Sequence, residues 1–159
     1  MKKLFATLGV IAVSAVAVVS VAGADQPPAK TFVAVLSAEE EVPLCEPATN
    51  AARGVAVFHV RDEATVDFKV VANNLPGDVS AAHIHRERPG VPGPIVQGLT
   101  LTGTENGVVA TDTFTNAGLV ADIQADPNNF YVNVHSDGPG GCPTGVIRGQ
   151  LDDRGPLNN

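Results

Sequence analysis

The stretch TVDFKVV, residues Thr65 to Val71, has the clearest strand pattern in the chain. Val66, Phe68 and Val70 fall at alternate positions, and the residues between them, Asp67 and Lys69, are charged. Successive side chains of a strand point to opposite faces, so this pattern predicts a strand with one face in a core and the other at the surface. The turn cluster NNLPG at residues 73–77 follows, in which proline sets φ and glycine allows positive φ.

Short strand-like segments separated by Gly- and Pro-rich turns continue on both sides of this stretch. GVAVFHV at residues 54–60 is apolar on both faces, which predicts a strand buried on both sides. Residues 116–126 form the one predicted helix, which Pro127 ends. Further strands are predicted at residues 31–37, 95–101, 107–115, 130–135 and 145–151, and in a segment that ends at His85. We therefore predict an all-β fold, an antiparallel sandwich or Greek-key barrel of seven or eight strands with little helix.

Residues 1–24 have the organisation of a secretory signal peptide. Lys2 and Lys3 precede an apolar run, and Ala22-Gly23-Ala24 is an A-x-A cleavage signal before Asp25. The apolar length also permits an uncleaved membrane anchor, which is the alternative interpretation. We expect cleavage, a secreted or periplasmic protein, and no membrane span in the mature chain.

The mature chain is predicted to comprise a lead-in at residues 25–30, one domain at residues 31–151 and a flexible tail at residues 152–159. The full sequence has 10 Lys and Arg against 17 Asp and Glu, for a formal net charge of −7. Nucleic acids and anionic membranes attract basic surfaces, so this acidic balance argues against both as partners.

The two cysteines, Cys45 and Cys142, both lie in the predicted exported part. In an oxidising compartment we expect them to form one disulfide. It would close a loop over most of the domain, and chain-entropy reasoning assigns such a loop about 4–5 kcal/mol of stabilisation. Two free thiols or metal-bound thiolates are the alternative, which the wide spacing and the absence of C-x-x-C disfavour.

The stretch AHIHRERPGVPGPIVQGL, Ala82 to Leu99, places His83 and His85 at the end of a predicted strand. Side chains at i and i+2 share a face, so the two imidazoles lie side by side while Ile84 points into the core. Two convergent imidazoles are the beginning of a copper or zinc site.

A third histidine ends the strand FYVNVH, residues 130–135. Its phase places His135 on the face opposite Phe130, so all three histidines are predicted on the outer surface of the sheet. The two longest Gly- and Pro-rich loops, residues 86–94 and 136–144, come directly afterwards and would cover that surface. Cys142 lies in the second loop, so a disulfide would tether it.

His83, His85 and His135 are therefore candidate ligands of one copper or zinc ion. The alternative is structural, with the histidines only hydrogen-bonding the loop backbone. Both interpretations stay open here, because the sequence does not fix the distances between the imidazoles.

Three charged residues are candidates for positions beside these histidines. Glu87, after H-x-H, and Asp137, after the third histidine, would act as hydrogen-bond partners of a ligand; a surface role is the alternative for each. Arg148 either attracts anions or pairs with an acidic loop. The charge run Glu39 to Glu41 is predicted to be solvated. No catalytic residue is predicted, since the chain has no nucleophile elbow, phosphate loop or convincing carboxylate pair.

Three motifs together resemble the chordin-type, or CHRD, domain family. They are AHIH followed by G-x-x-G-P-I-V (Ala82 to Val96), FYVNVH (Phe130 to His135) and GVIRGQL (Gly145 to Leu151). The resemblance extends over residues 31–151, with Val146 where the family usually has Glu. In chordin such domains belong to an extracellular antagonist of growth factors, so the resemblance implies a module that binds an extracellular protein or a cell-envelope partner.

A weaker resemblance is to copper/zinc superoxide dismutase, an eight-stranded Greek-key barrel. The order H-x-H, then V-x-V-H, then C-x-x-G-V-I is similar, which implies copper at His83, His85 and His135 and a disulfide at Cys142. This chain lacks the bridging histidine and the zinc-binding cluster of that family, and Cys45 precedes the H-x-H pair. The resemblance therefore implies mononuclear copper binding more than dismutase activity.

Overall fold

The computed structural model describes residues 30–46, 48, 51–103 and 106–153. The predicted signal peptide, most of the lead-in and residues 154–159 of the predicted tail lie outside these residues. The first two residues of that tail, Asp152 and Asp153, form a short strand paired with the first strand of the fold. Among the helices of this described part, none has the length and hydropathy needed to cross a membrane.

Nine strands and one α-helix follow one another along the described residues. The strands are β1 (Thr31–Ser37), β2 (Arg53–Val60), β3 (Thr65–Asn73), β4 (Asp78–Arg86), β5 (Ile95–Gly98), β6 (Gly107–Thr115), β7 (Phe130–Asp137), β8 (Ile147–Gln150) and β9 (Asp152–Asp153). The helix α1 (Ala117–Ala125) lies between β6 and β7. The predicted strands and helix are confirmed to within a few residues at their ends.

The strands form one antiparallel sheet in the order β5-β4-β7-β8-β1-β2-β3-β6, and β9 pairs with β1. This sheet curls into a half-barrel. Past the end of β5 the chain reaches the other edge of the sheet, where Leu101 makes a bridge to Ala110 of β6. The prediction of an all-β antiparallel fold with little helix is confirmed.

The concave face of the sheet holds the hydrophobic core. Val66, Phe68 and Val70 of β3 are buried, as their alternation predicts. Ile84 of β4 is also buried, so its two histidine neighbours point away from the core. Burying each such side chain contributes about 1.5–3 kcal/mol relative to leaving it in water.

The outer face of β1, β2, β3 and β6 is open to solvent. Val35 is 61% exposed and its cross-strand partner Val55 is 41% exposed. The row continues through Val71 to Val108, which is also exposed. The prediction that β2 is buried on both faces is therefore wrong, because no described segment crosses this side of the sheet.

Candidate metal centre

The register between β4 and β7 brings the three histidines together. His83 lies opposite Asn133, and His85 lies opposite Tyr131. His135 is two residues after Asn133 on β7, on the same face of that strand. Directly opposed side chains of an antiparallel pair are about 4.5–5.5 Å apart at Cβ. All of these side chains share the outer face of the sheet, as their phase predicts.

The three imidazoles converge on one point. The ring centroids of His83 and His135 are 5.0 Å apart, and His85 lies 5.7 Å from His83 and 6.2 Å from His135. One ring nitrogen of each histidine lies within 4.8 Å of the other two. The nearest pair, His83 Nδ1 and His135 Nε2, is separated by 3.2 Å and forms a hydrogen bond between the two rings. Nitrogens bound to one tetrahedral zinc ion at about 2.0–2.1 Å are about 3.3 Å apart, so this pair already has a chelating separation.

Backbone carbonyl groups of the two covering loops orient two of these rings. His85 Nδ1 is 2.9 Å from the carbonyl oxygen of Gly93, and His135 Nδ1 is 3.0 Å from that of Pro143. A carbonyl oxygen only accepts, so each Nδ1 carries the proton and each Nε2 keeps its lone pair. The Nε2 atom of His85 is buried and has no hydrogen-bond partner among the described residues. A bound metal ion would satisfy this lone pair.

The first loop, residues 87–94, approaches the histidines closely at Gly93. The Gly93 N–H donates to the Tyr131 hydroxyl oxygen over 2.9 Å. A Cβ atom on Gly93 would collide with the Arg86 carbonyl group and the Glu87 side chain, so glycine is needed where the loop folds back against its own first residues. The loop therefore covers the outer face, as predicted.

Two side chains of β8 hold the same loop by its backbone. Arg148 Nη2 donates to the Arg88 carbonyl over 3.1 Å, and Gln150 Nε2 donates to the Glu87 carbonyl over 2.6 Å. Arg148 is only 1% exposed, and its guanidinium carbon lies 3.5 Å from the centroid of the Tyr131 ring. These contacts make Arg148 a fastener of the loop next to the histidines.

The second loop is held by the predicted disulfide. Cys45 and Cys142 are bonded, with their Cα atoms 5.9 Å apart. The Cys142 N–H donates to the Ser136 hydroxyl over 3.0 Å, and the Ser136 N–H donates to the Cys142 carbonyl over 3.2 Å. Pro143 follows Cys142 directly, so these bonds place the carbonyl that accepts from His135.

A buried carboxyl group lies on the same outer face. Glu41 Oε1 accepts hydrogen bonds from Asn133 Nδ2, at 3.1 Å, and from the backbone N–H of Val42. Burial raises the pKa of Glu41, against the opposing effects of these hydrogen bonds and of the Arg148 charge. The solvated position predicted for Glu39 to Glu41 is therefore wrong for Glu41, which is drawn in by its bond to Asn133.

Gly145 makes room for this carboxyl group. Its φ is +134°, and a Cβ atom there would lie 2.5 Å from Glu41 Oε2 and 2.7 Å from the amide atoms of Asn133. Both the backbone conformation and the packing thus require glycine.

The two candidate acidic partners lie at different ends of the site. The Glu87 carboxylate accepts a hydrogen bond from the N–H of Arg88. The main-chain carbonyl of Glu87 accepts the hydrogen bond from Gln150. Asp137 is exposed at the end of β7. Burial lowers the pKa of His135, and the negative charge of Asp137 partly opposes that lowering. Asp137 therefore acts on a candidate ligand electrostatically.

Burial makes all three imidazoles weaker bases. It lowers the pKa of His83 to about 4, with further lowering by the charges of His135 and His85. Burial is also the largest cause of the lowered pKa of His85 and of His135. Each ring is consequently neutral at pH 7, which is the form that binds metal.

Sequence reasoning did not assign four residues that shape this site: Glu41, Gly93, Tyr131 and Pro143. A signal existed for Tyr131, because it shares the strand phase of His135. Glu41 had no local signal, since its partner Asn133 is 92 positions away in the chain.

The site is thus a loop-covered cluster of three neutral imidazoles on the outer face of an antiparallel half-barrel. The family profile of the CHRD domain matches residues 32–151, and the chain belongs to the CHRD domain family. The resemblance noted from the three sequence motifs is thereby confirmed. Comparisons with curated proteins and with solved structures find no match.

Proposed function

We propose that this CHRD-domain protein binds one copper or zinc ion through His83, His85 and His135. The observation that supports this is the convergence of one nitrogen from each ring to within 4.8 Å, on a face where two of the rings are oriented by carbonyl groups. Imidazole ligands suit both metals, and the Irving–Williams order makes copper the tighter binder. Metal-bound histidines generally donate their other ring N–H to such a carbonyl or carboxylate.

The site would leave one coordination position to an exchangeable ligand. Three protein nitrogens do not complete the four-coordinate shell that zinc prefers. His83 and His135 are partly exposed, whereas His85 is 7% exposed, so the opening lies on the side of His83 and His135. This arrangement supports loading and release of the ion through that opening.

Metal titration of the purified protein tests the proposal. The chain has one tyrosine, Tyr131, and no tryptophan, so its ultraviolet fluorescence reports on the ring stacked against His85. We expect one Cu²⁺ per chain to quench this fluorescence, and one Zn²⁺, a closed-shell d¹⁰ ion, to compete with it. Each of His83→Ala, His85→Ala and His135→Ala should weaken binding at least 100-fold.

His59→Ala is the matched control, because His59 is exposed on the bare side of the sheet and its ring nitrogen contacts the Thr31 hydroxyl. It should bind copper as tightly as the wild type. Equal binding by all four variants would place the metal elsewhere, and an absence of binding by the wild type would leave the three histidines as fasteners of the loops.

A second candidate function is a module that binds an extracellular protein or a cell-envelope partner, and the exposed valine row supports it. Large exposed apolar patches are typical of interaction sites. Saturable binding of such a partner should persist in the His83→Ala/His85→Ala variant and disappear in the Val35→Asp/Val55→Asp variant. Equal capture by the valine variant would remove this face from the function.

The disulfide supports an exported location for either function, because structural disulfides persist mainly in oxidising compartments. We propose a secreted or periplasmic protein. Detection of the mature chain, beginning at Asp25, in the medium or periplasm would test this. A superoxide dismutase-like activity would require superoxide turnover by the copper-loaded protein, and an absence of turnover would exclude it.

A further inference from the structure

We propose that Tyr131 is a positioning residue of the metal site, which sets the orientation of the His85 ring and thereby the affinity of the site. This inference rests on the proposed metal binding and adds a residue that touches no metal itself.

The Tyr131 ring restrains His85 directly. The two residues are opposed across β4 and β7, and their rings stack with centroids 4.8 Å apart and planes inclined by 13°. The Arg148 guanidinium carbon lies 3.5 Å from the Tyr131 centroid, and both groups cannot occupy one face of the ring at these distances. His85 and Arg148 therefore hold Tyr131 between them, and offset stacking favours the observed inclination of the imidazole.

The Tyr131 hydroxyl restrains His85 a second time, through Gly93. The hydroxyl oxygen accepts the Gly93 N–H at 2.9 Å, and the Gly93 carbonyl accepts the His85 Nδ1–H at 2.9 Å. Glycine has no side chain to fix it, so its neighbours decide where that carbonyl points. Together with the Arg86 N–H, which donates to the adjacent Pro94 carbonyl over 3.0 Å, the hydroxyl thus positions the acceptor that keeps the proton on Nδ1 and directs Nε2 to the metal.

The loop has other fasteners, which allows the role of the hydroxyl to be separated from loop folding. Arg148 and Gln150 hold the carbonyl groups of Arg88 and Glu87 independently of Tyr131. Tyr131→Phe keeps the ring stack and these two fasteners of the loop. It removes the hydroxyl, which accepts the Gly93 N–H at 2.9 Å and lies 3.5 Å from the Gly93 carbonyl oxygen as a donor. Partners that orient a metal ligand typically contribute 10–100-fold to metal affinity.

Copper affinity by calorimetry and the copper electron paramagnetic resonance spectrum test the inference together. We expect Tyr131→Phe to bind Cu²⁺ about 10-fold more weakly, with a changed copper hyperfine splitting, because the His85 ring turns. Tyr131→Leu, which also removes the stack, should lose up to about 100-fold. Thr111→Val, which removes a hydroxyl that donates to the Phe68 carbonyl on the bare side of the sheet, should change neither.

Wild-type affinity together with a wild-type spectrum in Tyr131→Phe would overturn the inference while leaving the metal site intact. The metal-free protein supplies an independent readout by nuclear magnetic resonance. The His85 Nδ1–H should exchange slowly with solvent in the wild type and at least 10-fold faster in Tyr131→Phe. Equal exchange rates in the two proteins would contradict the positioning role, even if the wild type bound no metal. This measurement needs only Tyr131→Phe, so it tests the inference even if Tyr131→Leu does not fold.

Discussion

The two halves of the sheet differ on their outer faces, although both share one core. Across β1, β2, β3 and β6 the outer side chains are valines and polar residues open to water. Across β4, β7 and β8 they are histidine, tyrosine, asparagine and arginine side chains under two loops. We call the half formed by β1, β2, β3 and β6 the bare half. Its exposed valines are explained by strand propensity, since β-branched side chains suit a pleated surface whether or not it is buried.

The covered half depends on contacts between distant parts of the chain. Buried polar groups are unfavourable unless partnered, and the partners of several in this half come from other segments. Gly93, Pro143 and Glu41 provide those partners from three different segments. The comparison therefore predicts that changes in the covered half affect the proposed metal binding and the stability together.

Removal of the disulfide should have the largest effect. Cys45→Ala/Cys142→Ala is expected to lower the free energy of unfolding by about 2–5 kcal/mol. It should also weaken metal binding about 10-fold, because the Pro143 carbonyl that orients His135 loses the restraint of the disulfide and keeps only the hydrogen bonds between residues 136 and 142. Denaturant unfolding and metal titration measure the two effects.

Leu36→Ala provides the control for that loss of stability. It removes a buried core side chain of β1, at a cost of about 2–5 kcal/mol, and leaves the loops in place. Its metal affinity should match the wild type; an equal loss of affinity would mean that general destabilisation, and not the loop, explains the disulfide result.

Gly145→Ala should destabilise the covered face by about 2–4 kcal/mol, since it combines a strained backbone with a collision at Glu41 and Asn133. Gly140→Ala is the matched control, because Gly140 also has positive φ, +77°, but faces open space. Its cost should be about 1 kcal/mol. Similar unfolding midpoints for the two variants would show that the contact with Glu41 contributes nothing.

Acid should weaken the fold of the metal-free protein through its histidines. The unfolded chain protonates His83 near pH 6.5, whereas the folded chain does so only at about 4. The unfolded state thus binds more protons in this window, so the free energy of unfolding falls as the pH is lowered from 6.5 to 4. His83→Gln should show a shallower fall in unfolding experiments across these pH values, and an identical slope would contradict the assignment.

Glu41 should respond in the opposite direction. Its pKa is raised in the fold, so the folded state retains a proton that the unfolded state has lost, and stability falls as the pH rises above about 4.5. Glu41→Gln cannot ionise. Its stability relative to the wild type should therefore increase between pH 4.5 and pH 7.5, and a constant difference would show that the carboxyl group ionises freely.

The smallest effect is expected on the bare half. Val35→Thr/Val55→Thr should change the free energy of unfolding by less than about 0.5 kcal/mol for each exposed position. Metal affinity should be unchanged. A large loss in either measurement would show that the two outer faces are coupled.

The fold was predictable because its signals are local. Alternation in β3 and the phase of the histidines on β4 and β7 follow from the two-residue period of a strand. The apolar pattern of β2 misled, because valine occurs on exposed as well as buried strand faces and the sequence carries no sign of what covers them.

The histidine set was predictable from phase, whereas the groups that orient it were not. Which carbonyl meets a ring nitrogen depends on loop conformations, and no periodicity encodes these. The buried position of Glu41 likewise depends on a partner from a different strand. Such contacts become visible only once the register of the sheet is known.

Anomalous diffraction at the copper absorption edge from crystals of the copper-loaded protein tests the central claim most directly. We predict one strong peak per chain, within about 2.0–2.1 Å of one nitrogen each from His83, His85 and His135. A peak at any other side chains, or a loaded crystal without a peak between these three rings, would contradict the account.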